Sequence, residues 1–342
     1  MNIRQRLVIA FLLASAFVLY PNYDLTLPAH FPALKYPLKQ NPLHPEAIQL
    51  GRLLFYDPML SADSSTSCAS CHSSYNAFAH TDHKLSHGIG DRVGNRNAPA
   101  LFNLGWQPLF MWDGAHRSLD MQALAPISHP KELGFSIAGV VQRLQGNPQY
   151  RSQFSRAFGD SIVTGEKVLK ALAQFQLTLI SAGSKYDKVK QGQAAFTAQE
   201  AKGYKLFLEH CNSCHAEPLF SNYRLASNGL PPDSLLQDSG RMGVTRRAED
   251  RYRFKTPSLR NLSYTFPYMH DGRFQTLSAV LNHYSSGISE AAKPDHPLRV
   301  PLHLSGAEKV ELISFLRTLN DSAFVFNKAH AFPMELKTYW KR

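Results

Sequence analysis

The stretch CASCH at residues 68–72 returns as CNSCH at residues 211–215, and the two stretches hold all four cysteines of the chain. A Cys-x-x-Cys-His motif is typical of covalent attachment of a c-type haem, in which two closely spaced thiols bond the two vinyl groups of the porphyrin. The histidine that follows then lies beneath the iron as an axial ligand. The sequence therefore predicts two covalently bound c-type haems. The predicted attachment residues are Cys68 and Cys71 with iron ligand His72, and Cys211 and Cys214 with iron ligand His215.

Zinc binding and thiol redox chemistry are the alternative uses of paired cysteines. Structural zinc pairs usually lie closer together in sequence, and zinc does not explain a histidine after both pairs. A redox pair of the thioredoxin type requires a βαβ setting, which the sequence lacks. Haem attachment is the interpretation that accounts for all four cysteines.

The composition fits a folded chain of two domains. The 342 residues are 44% hydrophobic and 18% charged, which is enough apolar content to bury a core and excludes a disordered chain. The formal net charge is +11 at pH 7. A basic chain can bind nucleic acid, an anionic membrane or an acidic protein. Because the chain has no long run of Lys and Arg and no nucleic-acid motif, we expect no nucleic-acid partner.

The first residues have the pattern of an export signal. Arg4 and Arg6 precede an apolar run from Leu7 to Tyr20, and the small residues at 14–16 match a cleavage site. The run is shorter than the about 20 residues that a membrane-spanning helix needs. We therefore predict a signal peptide or N-terminal anchor at residues 1–22 and a periplasmic or otherwise exported protein. A buried core helix is the alternative.

The two halves of the chain can be aligned residue by residue. NAPALFNL at residues 97–104 matches KTPSLRNL at residues 255–262, and MWDG at residues 111–114 matches MHDG at residues 269–272. Both matches have the same offset along the chain, so the alignment runs unbroken between them. Such an internal repeat indicates two domains of one fold.

Helical patterns dominate both halves. Apolar residues recur with a period near 3.6, and Thr197–Glu200 and Ser305–Glu308 have the spacing of capping boxes that start helices. We therefore predict a mainly α fold with two cytochrome c-like haem domains in tandem, at residues 40–185 and 190–325, with long loops. In the helix after Ser305, the residues Val310, Ile313, Leu316 and Leu319 line one face.

The alignment ends on a difference in chemistry. It sets Pro126 of the first half against Tyr284 of the second. In a cytochrome c domain the second axial ligand comes from a segment far downstream of the Cys-x-x-Cys-His motif, and His283 or Tyr284 can supply it here. Proline has no side-chain donor atom, so we predict that the first iron keeps one position open for a small molecule.

These motifs resemble the bacterial di-haem cytochrome c peroxidase family, which includes the MauG-type enzymes that oxidise tryptophan. The resemblance extends from about residue 40 to residue 325 and implies that residues 40–185 form a peroxidatic domain and residues 190–325 an electron-transfer domain. The motifs that carry it, besides the two haem motifs, are RNAPALFN at 96–103, FMWDG at 110–114, PSLRNL at 257–262 and PYMHDGRFQTL at 267–277.

The resemblance also implies roles for individual residues. Trp112 corresponds to the tryptophan that relays electrons between the haems, Gln122 to the distal glutamine, and Glu132 to the catalytic glutamate. Pro126 corresponds to the proline of the open site. The residues that correspond to a calcium site between the haems are Asn97, Thr265 and Pro267.

Two positions bear on how the haems are used. Family members that need reductive activation carry a distal histidine, and His87 is the candidate here, although it lies farther from Asn97 in sequence than in that pattern. Peroxidases of the family often use methionine as the distal ligand of the electron-transfer haem, whereas this chain has Tyr284, as MauG-type enzymes do. A thioether raises the haem potential and a phenolate favours oxidised iron. Tyr284 is therefore expected to disfavour a readily reduced storage haem.

Three functions are compatible with these features. We expect an enzyme, a di-haem cytochrome c peroxidase that reduces hydrogen peroxide to water at the His72 haem with electrons from a small cytochrome c or cupredoxin. Peroxide-dependent oxidation of tryptophans in a partner protein, as in MauG-type enzymes, is the alternative. A non-catalytic di-haem electron carrier is the second alternative. The oligomeric state is open, and a homodimer is compatible with the sequence.

Overall fold

The computed structural model describes residues 23–292, 294–295 and 298–340. The predicted signal peptide or anchor at residues 1–22 lies outside the described residues. Within the described ranges, no helix is long and apolar enough to cross a membrane.

Helices provide most of the regular structure, so the prediction of a mainly α fold is confirmed. The helices of the first half are α1 (Pro45–Tyr56), α2 (Cys68–Cys71), α3 (Leu119–Gln122), α4 (Leu124–Ser128), α5 (Ile137–Gly146), α6 (Pro148–Phe158), α7 (Gly165–Leu177) and α8 (Lys185–Lys190). Those of the second half are α9 (Ala198–His210), α10 (Met242–Thr245), α11 (Leu277–Ser286), α12 (Gly306–Arg317), α13 (Ser322–Val325) and α14 (Leu336–Trp340). Two short strands, β1 (Leu225–Ala226) and β2 (Phe254–Lys255), pair antiparallel.

Each half is built on two long helices that cross in close contact, α1 with α7 in the first half and α9 with α12 in the second. At Gly51 of α1, a Cβ atom would lie 1.9 Å from the carbonyl oxygen of Ala171. At Gly203 of α9, a Cβ atom would lie 1.9 Å from the carbonyl oxygen of Glu311. The backbones can therefore touch only because both positions lack a side chain.

The predicted helix starts of the second half are confirmed, whereas the apolar face of α12 is only partly buried. The capping boxes predicted at Thr197 and Ser305 are confirmed. The apolar residues that the sequence places on one face of α12 are not all in the core, since Val310 is 53% exposed. The ring of Phe315 lies 5.1 Å from that of Phe207 on α9, and this contact sets the rotation of α12. The fully or largely buried residues of α12 are Leu312, Phe315 and Leu316.

The internal repeat extends to backbone conformation. Asn103 and its equivalent Asn261 are both left-handed, with φ of 55° and 61°. Met111 and its equivalent Met269 are also left-handed, with φ of 65° and 75°. Because residues other than glycine rarely adopt positive φ, their recurrence at equivalent positions supports the alignment of the two halves.

A reciprocal pair of backbone hydrogen bonds joins the halves. The N–H of Asn97 donates to the carbonyl oxygen of His270 at 2.7 Å. The N–H of Lys255 donates to the carbonyl oxygen of Trp112 at 2.6 Å. Asn97 and Lys255 are equivalent in the alignment, and so are Trp112 and His270. Each Met-x-Asp-Gly turn is therefore held by the segment of the other half that contains Asn97 or Lys255, through the same contact made twice.

The helix that follows each of these turns differs between the halves. In the second half α11 is continuous and carries Tyr284. The equivalent segment of the first half is divided at Ala123 into α3 and α4. Pro126 explains the division, because it has no N–H to donate to the carbonyl of Gln122 one turn earlier.

Gly203→Ala is expected to destabilise the second half, because the added Cβ would clash with the backbone of α12. Overpacking of this kind costs about 1–3 kcal/mol, and a clash with backbone is hard to relieve. Gly306→Ala is the control, since no atom lies within 4 Å of a Cβ added at that first residue of α12. Thermal unfolding followed by circular dichroism should show a lower midpoint for Gly203→Ala only, and equal midpoints would contradict the predicted clash.

Candidate functional site

The first Cys-x-x-Cys-His motif presents its histidine with one ring nitrogen fixed. A capping box between Ser67 and Ser70 starts α2, and His72 directly follows the helix. The Nδ1 atom of His72 lies 2.9 Å from the carbonyl oxygen of Phe78. Because a carbonyl can only accept, Nδ1 carries the proton and Nε2 keeps a lone pair for a metal.

The second motif repeats this arrangement. The Nδ1 atom of His215 lies 3.3 Å from the carbonyl oxygen of Phe220 and 3.1 Å from that of Pro257. Burial lowers the pKa of His72 and of His215 to about 4, so both imidazoles are neutral near pH 7. The neutral imidazole is the form that binds a metal.

A cavity adjoins the second motif. It is lined by Cys211, Cys214 and His215 together with residues from both halves of the chain. Part of its apolar wall comes from α11, α12 and the segment between them. These wall residues are Leu277, Val280, Leu281, Leu302, Leu312 and Leu316.

Two polar groups of this cavity fit the carboxylates of a haem. Tyr223 is 4% exposed, and its hydroxyl has no hydrogen-bond partner within the described residues. The ammonium group of Lys255 contacts the side-chain oxygen of Gln107, and burial lowers its pKa to about 8. A buried donor without an acceptor is costly. A haem propionate would accept from the Tyr223 hydroxyl, and the Lys255 ammonium is a cation that could pair with a propionate. Thiols, free imidazole nitrogen, apolar walls and these donors together fit a c-type haem.

The two candidate axial donors of α11 point in different directions. Tyr284 lines the cavity. His283 is 4% exposed, and its Nε2 atom lies 3.0 Å from the carbonyl oxygen of Asn228. Burial raises the pKa of Tyr284 to about 12, and the side-chain amide of Asn228 acts in the opposite direction. The phenol therefore needs a nearby cation to ionise, and a haem iron would provide one.

The region between the halves contains Trp112 and the three predicted calcium ligands. The indole Nε1 of Trp112 donates to the carbonyl oxygen of Asn97 at 2.8 Å. Trp112, Asn97, Thr265 and Pro267 all line the cavity of the second motif. The side-chain amide of Asn97 donates to the carbonyl oxygen of Lys84 at 3.1 Å. In the part of the chain that the structure describes, no group of three or more His, Cys, Asp or Glu could hold a metal ion, so the calcium prediction depends on amide and carbonyl oxygens.

Glu132 lies near the first motif. Burial raises the pKa of the Cys71 thiol, and the charge of Glu132 adds to that rise. The Glu132 side chain is 33% exposed, and the Nδ1 atom of His129 lies 3.8 Å from its carboxylate. Burial raises the pKa of Glu132, and the charge of His129 lowers it. The result is a carboxyl group that takes up a proton more readily than an exposed one.

The backbone around Glu132 is fixed by a loop of the first half. The N–H of Ile89 donates to the carbonyl oxygen of Glu132 at 2.9 Å. A Cβ atom at Gly88 would lie 2.2 Å from the carbonyl oxygen of Lys131 and 2.4 Å from that of Glu132. Gly88 is therefore required for this loop to pack against the Glu132 turn.

Gln122 is oriented by a buried neighbour. Its Nε2 atom donates to the side-chain oxygen of Gln176 at 3.2 Å, and Gln176 is 2% exposed. Gln122 and Glu132 flank Pro126, whose carbonyl oxygen accepts from the N–H of Leu133 at 3.1 Å. Among the described residues, Gln122 and Glu132 share no hydrogen bond with each other.

The side chains of three histidines pack one against the next beside the first Cys-x-x-Cys-His motif. The Nε2 atom of His80 lies 3.1 Å from Nδ1 of His83. The rings of His83 and His87 stack with centroids 4.4 Å apart. The thiol of Cys71 donates to the carbonyl oxygen of His87 at 3.2 Å. The backbone of His87 therefore contacts the haem motif while its ring packs on His83.

Several residues of the site had no prediction from the sequence. Lys255 could have been noticed, because it places a cation where the aligned motif of the first half has Asn97. Asn228 and Tyr223 give no such signal, since they lie in irregular segments and reach the cavity only through tertiary packing.

Comparison with known proteins agrees with this geometry. A family model described as di-haem cytochrome c peroxidase matches residues 45–195. MauG of Methylorubrum extorquens is 37% identical over 291 residues, which cover 82% of this chain and 80% of that protein. Cytochrome c551 peroxidase of Nitrosomonas europaea is 34% identical over 284 residues, which cover 81% of each. The crystal structure of a MauG-like protein associated with microbial copper homeostasis matches with a TM-score of 0.82 and 30% identity, covering 91% of this chain and 99% of that chain.

The tandem arrangement of two cytochrome c-like haem domains, predicted from the sequence, is thereby confirmed. The relatives include both peroxidases and MauG proteins. This chain therefore belongs to the di-haem cytochrome c peroxidase and MauG family, and it is a peroxidase-type oxidoreductase with two c-type haems.

Proposed function

We propose that this protein uses hydrogen peroxide to oxidise aromatic side chains, tryptophan above all, of a partner protein. The observation that carries the proposal is the position of Tyr284, whose side chain faces the cavity that His215 also lines. A phenolate ligand favours oxidised iron, whereas a thioether ligand raises the haem potential. The second site is then a poor acceptor of electrons from a reduced cytochrome. We therefore favour oxidation of a partner protein. The sequence alone favours the cytochrome c peroxidase reaction.

In this proposal Glu132 moves a proton at the first site. Its carboxylate takes the proton from one peroxide oxygen and returns it to the other, which leaves as water. The haem held by Cys68, Cys71 and His72 supplies, when bound, the redox chemistry of breaking the oxygen–oxygen bond. In the overall reaction one peroxide accepts two electrons and two protons to give two waters. The partner's aromatic side chain supplies those electrons and protons as it takes up one oxygen atom from a water molecule, so that the net products are the hydroxylated side chain and one water.

Neighbouring residues prepare the first site and connect it to the second. Gln122, whose amide is fixed by Gln176, orients the peroxide by hydrogen bonding. Pro126 leaves room for the peroxide, because it has no side-chain donor for the metal. Trp112 passes electrons between the sites, and the hydrogen bond from its indole to Asn97 keeps the ring in the wall of the second cavity.

Reduction of peroxide with electrons from a small cytochrome c or cupredoxin is the second candidate. It is supported by the peroxidases among the relatives. The net charge of +11 would attract an acidic donor in either reaction. A non-catalytic carrier is less well supported, because Glu132 and Pro126 then have no role at the first site.

Further expectations belong to the same proposal. The protein is exported, with residues 1–22 as its signal peptide or anchor. The peroxidatic domain spans residues 40–185 and the electron-transfer domain residues 190–325. A calcium ion is held between them by Asn97, Thr265 and Pro267, and the active protein is a monomer or a homodimer.

The two candidate reactions are separated by offering the protein two reductants in parallel. One arm contains hydrogen peroxide and reduced cytochrome c, and the other contains hydrogen peroxide and the exported proteins of the source cell. We expect slow oxidation of cytochrome c and, by mass spectrometry, oxygen added to tryptophan of a partner only when enzyme and peroxide are both present. Fast turnover with cytochrome c and no modified partner would establish the second candidate instead.

Glu132→Gln is expected to retain both haems and to lose peroxide turnover by about 10²–10⁴-fold, because the amide cannot accept the proton. Glu166→Gln is the matched control, since Glu166 is an exposed glutamate on α7 paired with Lys170. Peroxide consumption and haem content are measured for both variants. Full turnover in Glu132→Gln would remove Glu132 from the mechanism.

His129→Gln is expected to move the acidic limb of the pH–rate profile to higher pH. The rate requires deprotonated Glu132, so it rises with pH through the pKa of this group, which burial raises and His129 lowers. Loss of His129 removes the lowering effect, and a higher pH is then needed to ionise Glu132. The measurement is kcat/KM for peroxide against pH, with the exposed His303→Asn as control. A limb that stays in place or moves to lower pH would argue against this coupling.

Tyr284→Met is expected to raise the midpoint potential of the second haem, because a thioether replaces a phenolate. The variant should also oxidise reduced cytochrome c faster than the wild-type protein does. Spectroelectrochemistry measures the potential and stopped-flow absorbance the rate. An unchanged potential in both Tyr284→Met and Tyr284→Phe would show that Tyr284 is not the axial ligand.

A further inference from the structure

Asn228 follows β1 by two residues and contacts three candidate axial donors near the second site. Its carbonyl oxygen lies 3.0 Å from Nε2 of His283. Its side-chain Nδ2 lies 3.4 Å from the hydroxyl of Tyr284 and 3.4 Å from Sδ of Met269. Asn228, Tyr284 and Met269 all line the cavity. One asparagine therefore connects an imidazole, a phenol and a thioether, the three side-chain types that most often ligate haem iron beside cysteine.

The orientation of the Asn228 side-chain amide is fixed by a hydrogen bond to its oxygen atom. Its Oδ1 atom accepts from the N–H of Leu230 at 3.2 Å. A backbone N–H can only donate, so the oxygen must face Leu230 and the NH₂ group must face the cavity. The two hydrogens of Nδ2 are then available for Tyr284 and Met269, one for each.

The backbone of Asn228 separates His283 from the cavity. The ring of His283 lies 4% exposed among protein atoms, with Nε2 directed at the carbonyl of Asn228. A hydrogen bond to a carbonyl places the proton on Nε2, so this nitrogen has no lone pair to offer a metal. The remaining competition is between the phenol oxygen of Tyr284 and the sulfur of Met269.

Met269 is well placed to compete. It lies in the Met-x-Asp-Gly turn of the second half, where its backbone is left-handed with φ of 75°. The sulfur of Met269 and the hydroxyl oxygen of Tyr284 each lie 3.4 Å from Nδ2 of Asn228, so the sulfur lies within reach of the space that the Tyr284 oxygen uses. The thioether sulfur is a weak hydrogen-bond acceptor, and the contact with Nδ2 engages a lone pair that a metal would otherwise use.

We infer that Asn228 is a positioning residue that selects Tyr284 over Met269 as the axial donor of the second haem. The inference rests on the proposed role of Tyr284. Donation from Nδ2 to the phenol oxygen stabilises negative charge on that oxygen. Donation to the sulfur holds Met269 away from the iron. A chain that contains both types of axial donor in one cavity thus uses the one that favours oxidised iron.

Asn228→Leu tests this inference, because leucine has nearly the same shape and no N–H to donate. In the full haem-loaded protein we expect the midpoint potential of the second haem to rise and the weak near-infrared absorption band of methionine-ligated ferric haem to appear. Asn228→Ala makes the same test with a smaller side chain. Asn282→Leu is the matched control on α11, where the exposed Asn282 side chain accepts from Lys309, and it should change neither quantity.

The double variant Asn228→Leu/Met269→Leu identifies the cause of the change. If Met269 is the competitor, the double variant loses the near-infrared band, and its potential falls back to the wild-type value or below it. An unchanged potential and spectrum in both Asn228→Leu and Asn228→Ala would overturn the inference. So would a potential that stays raised in the double variant, because competition by Met269 would then not be its cause.

The test also separates this inference from the proposal beneath it. Tyr284→Phe alters the spectrum and potential of the second haem if Tyr284 is the ligand. No change in Tyr284→Phe would remove the ligand assignment itself. A change in Tyr284→Phe together with no change in Asn228→Leu would remove only the role of Asn228.

Discussion

The two backbone hydrogen bonds between the halves fix the relation between the haem sites. Asn97 bonds to His270, and Lys255 bonds to Trp112, so each half holds the Met-x-Asp-Gly turn of the other. Through this contact a tryptophan of the first half reaches the cavity of the second. Backbone hydrogen bonds do not depend on side-chain identity. The side chains at these four positions can therefore differ between the halves while the geometry stays the same.

A single aligned position accounts for most of the difference between the two sites. Where α11 carries Tyr284 in a continuous helix, the first half has Pro126 and a helix broken at Ala123. Proline removes a donor atom for the metal and also the N–H that would continue the helix. In the proposed mechanism both consequences favour an open first site, since the ligand is missing and the segment that would carry it is reshaped. The polar residues Gln122 and Glu132 lie on either side of this break.

The sequence predicted those parts of the molecule that are set by local chemistry or by the repeat. The haem motifs, the capping boxes at Thr197 and Ser305, and the alignment of Pro126 with Tyr284 needed no knowledge of packing. The period of apolar residues in α12 does not indicate which of them are buried. Val310 is 53% exposed, because the contact of Phe315 with α9 sets the rotation of the helix.

The side chains that reach the cavity through tertiary packing could not be predicted from the sequence. His283 and Tyr284 are neighbours on one helix and differ by about 100° in direction. Which of them faces the cavity depends on how α11 packs, and the contact of His283 with Asn228 expresses that packing. Tyr223 and Asn228 lie in irregular segments, so no period or motif indicates that they reach the cavity.

Lys255 gives the two halves unequal electrostatics. Its aligned partner Asn97 is neutral, and the backbone of each residue is held by the same hydrogen bond. Because burial lowers the pKa of Lys255 only to about 8, most Lys255 side chains are protonated and positively charged near neutral pH. In the proposed mechanism electrons cross Trp112, and this charge lowers the energy of an electron on the Lys255 side of that path. One cation at one of two equivalent backbone positions thus makes the surroundings of the two haem sites electrostatically different.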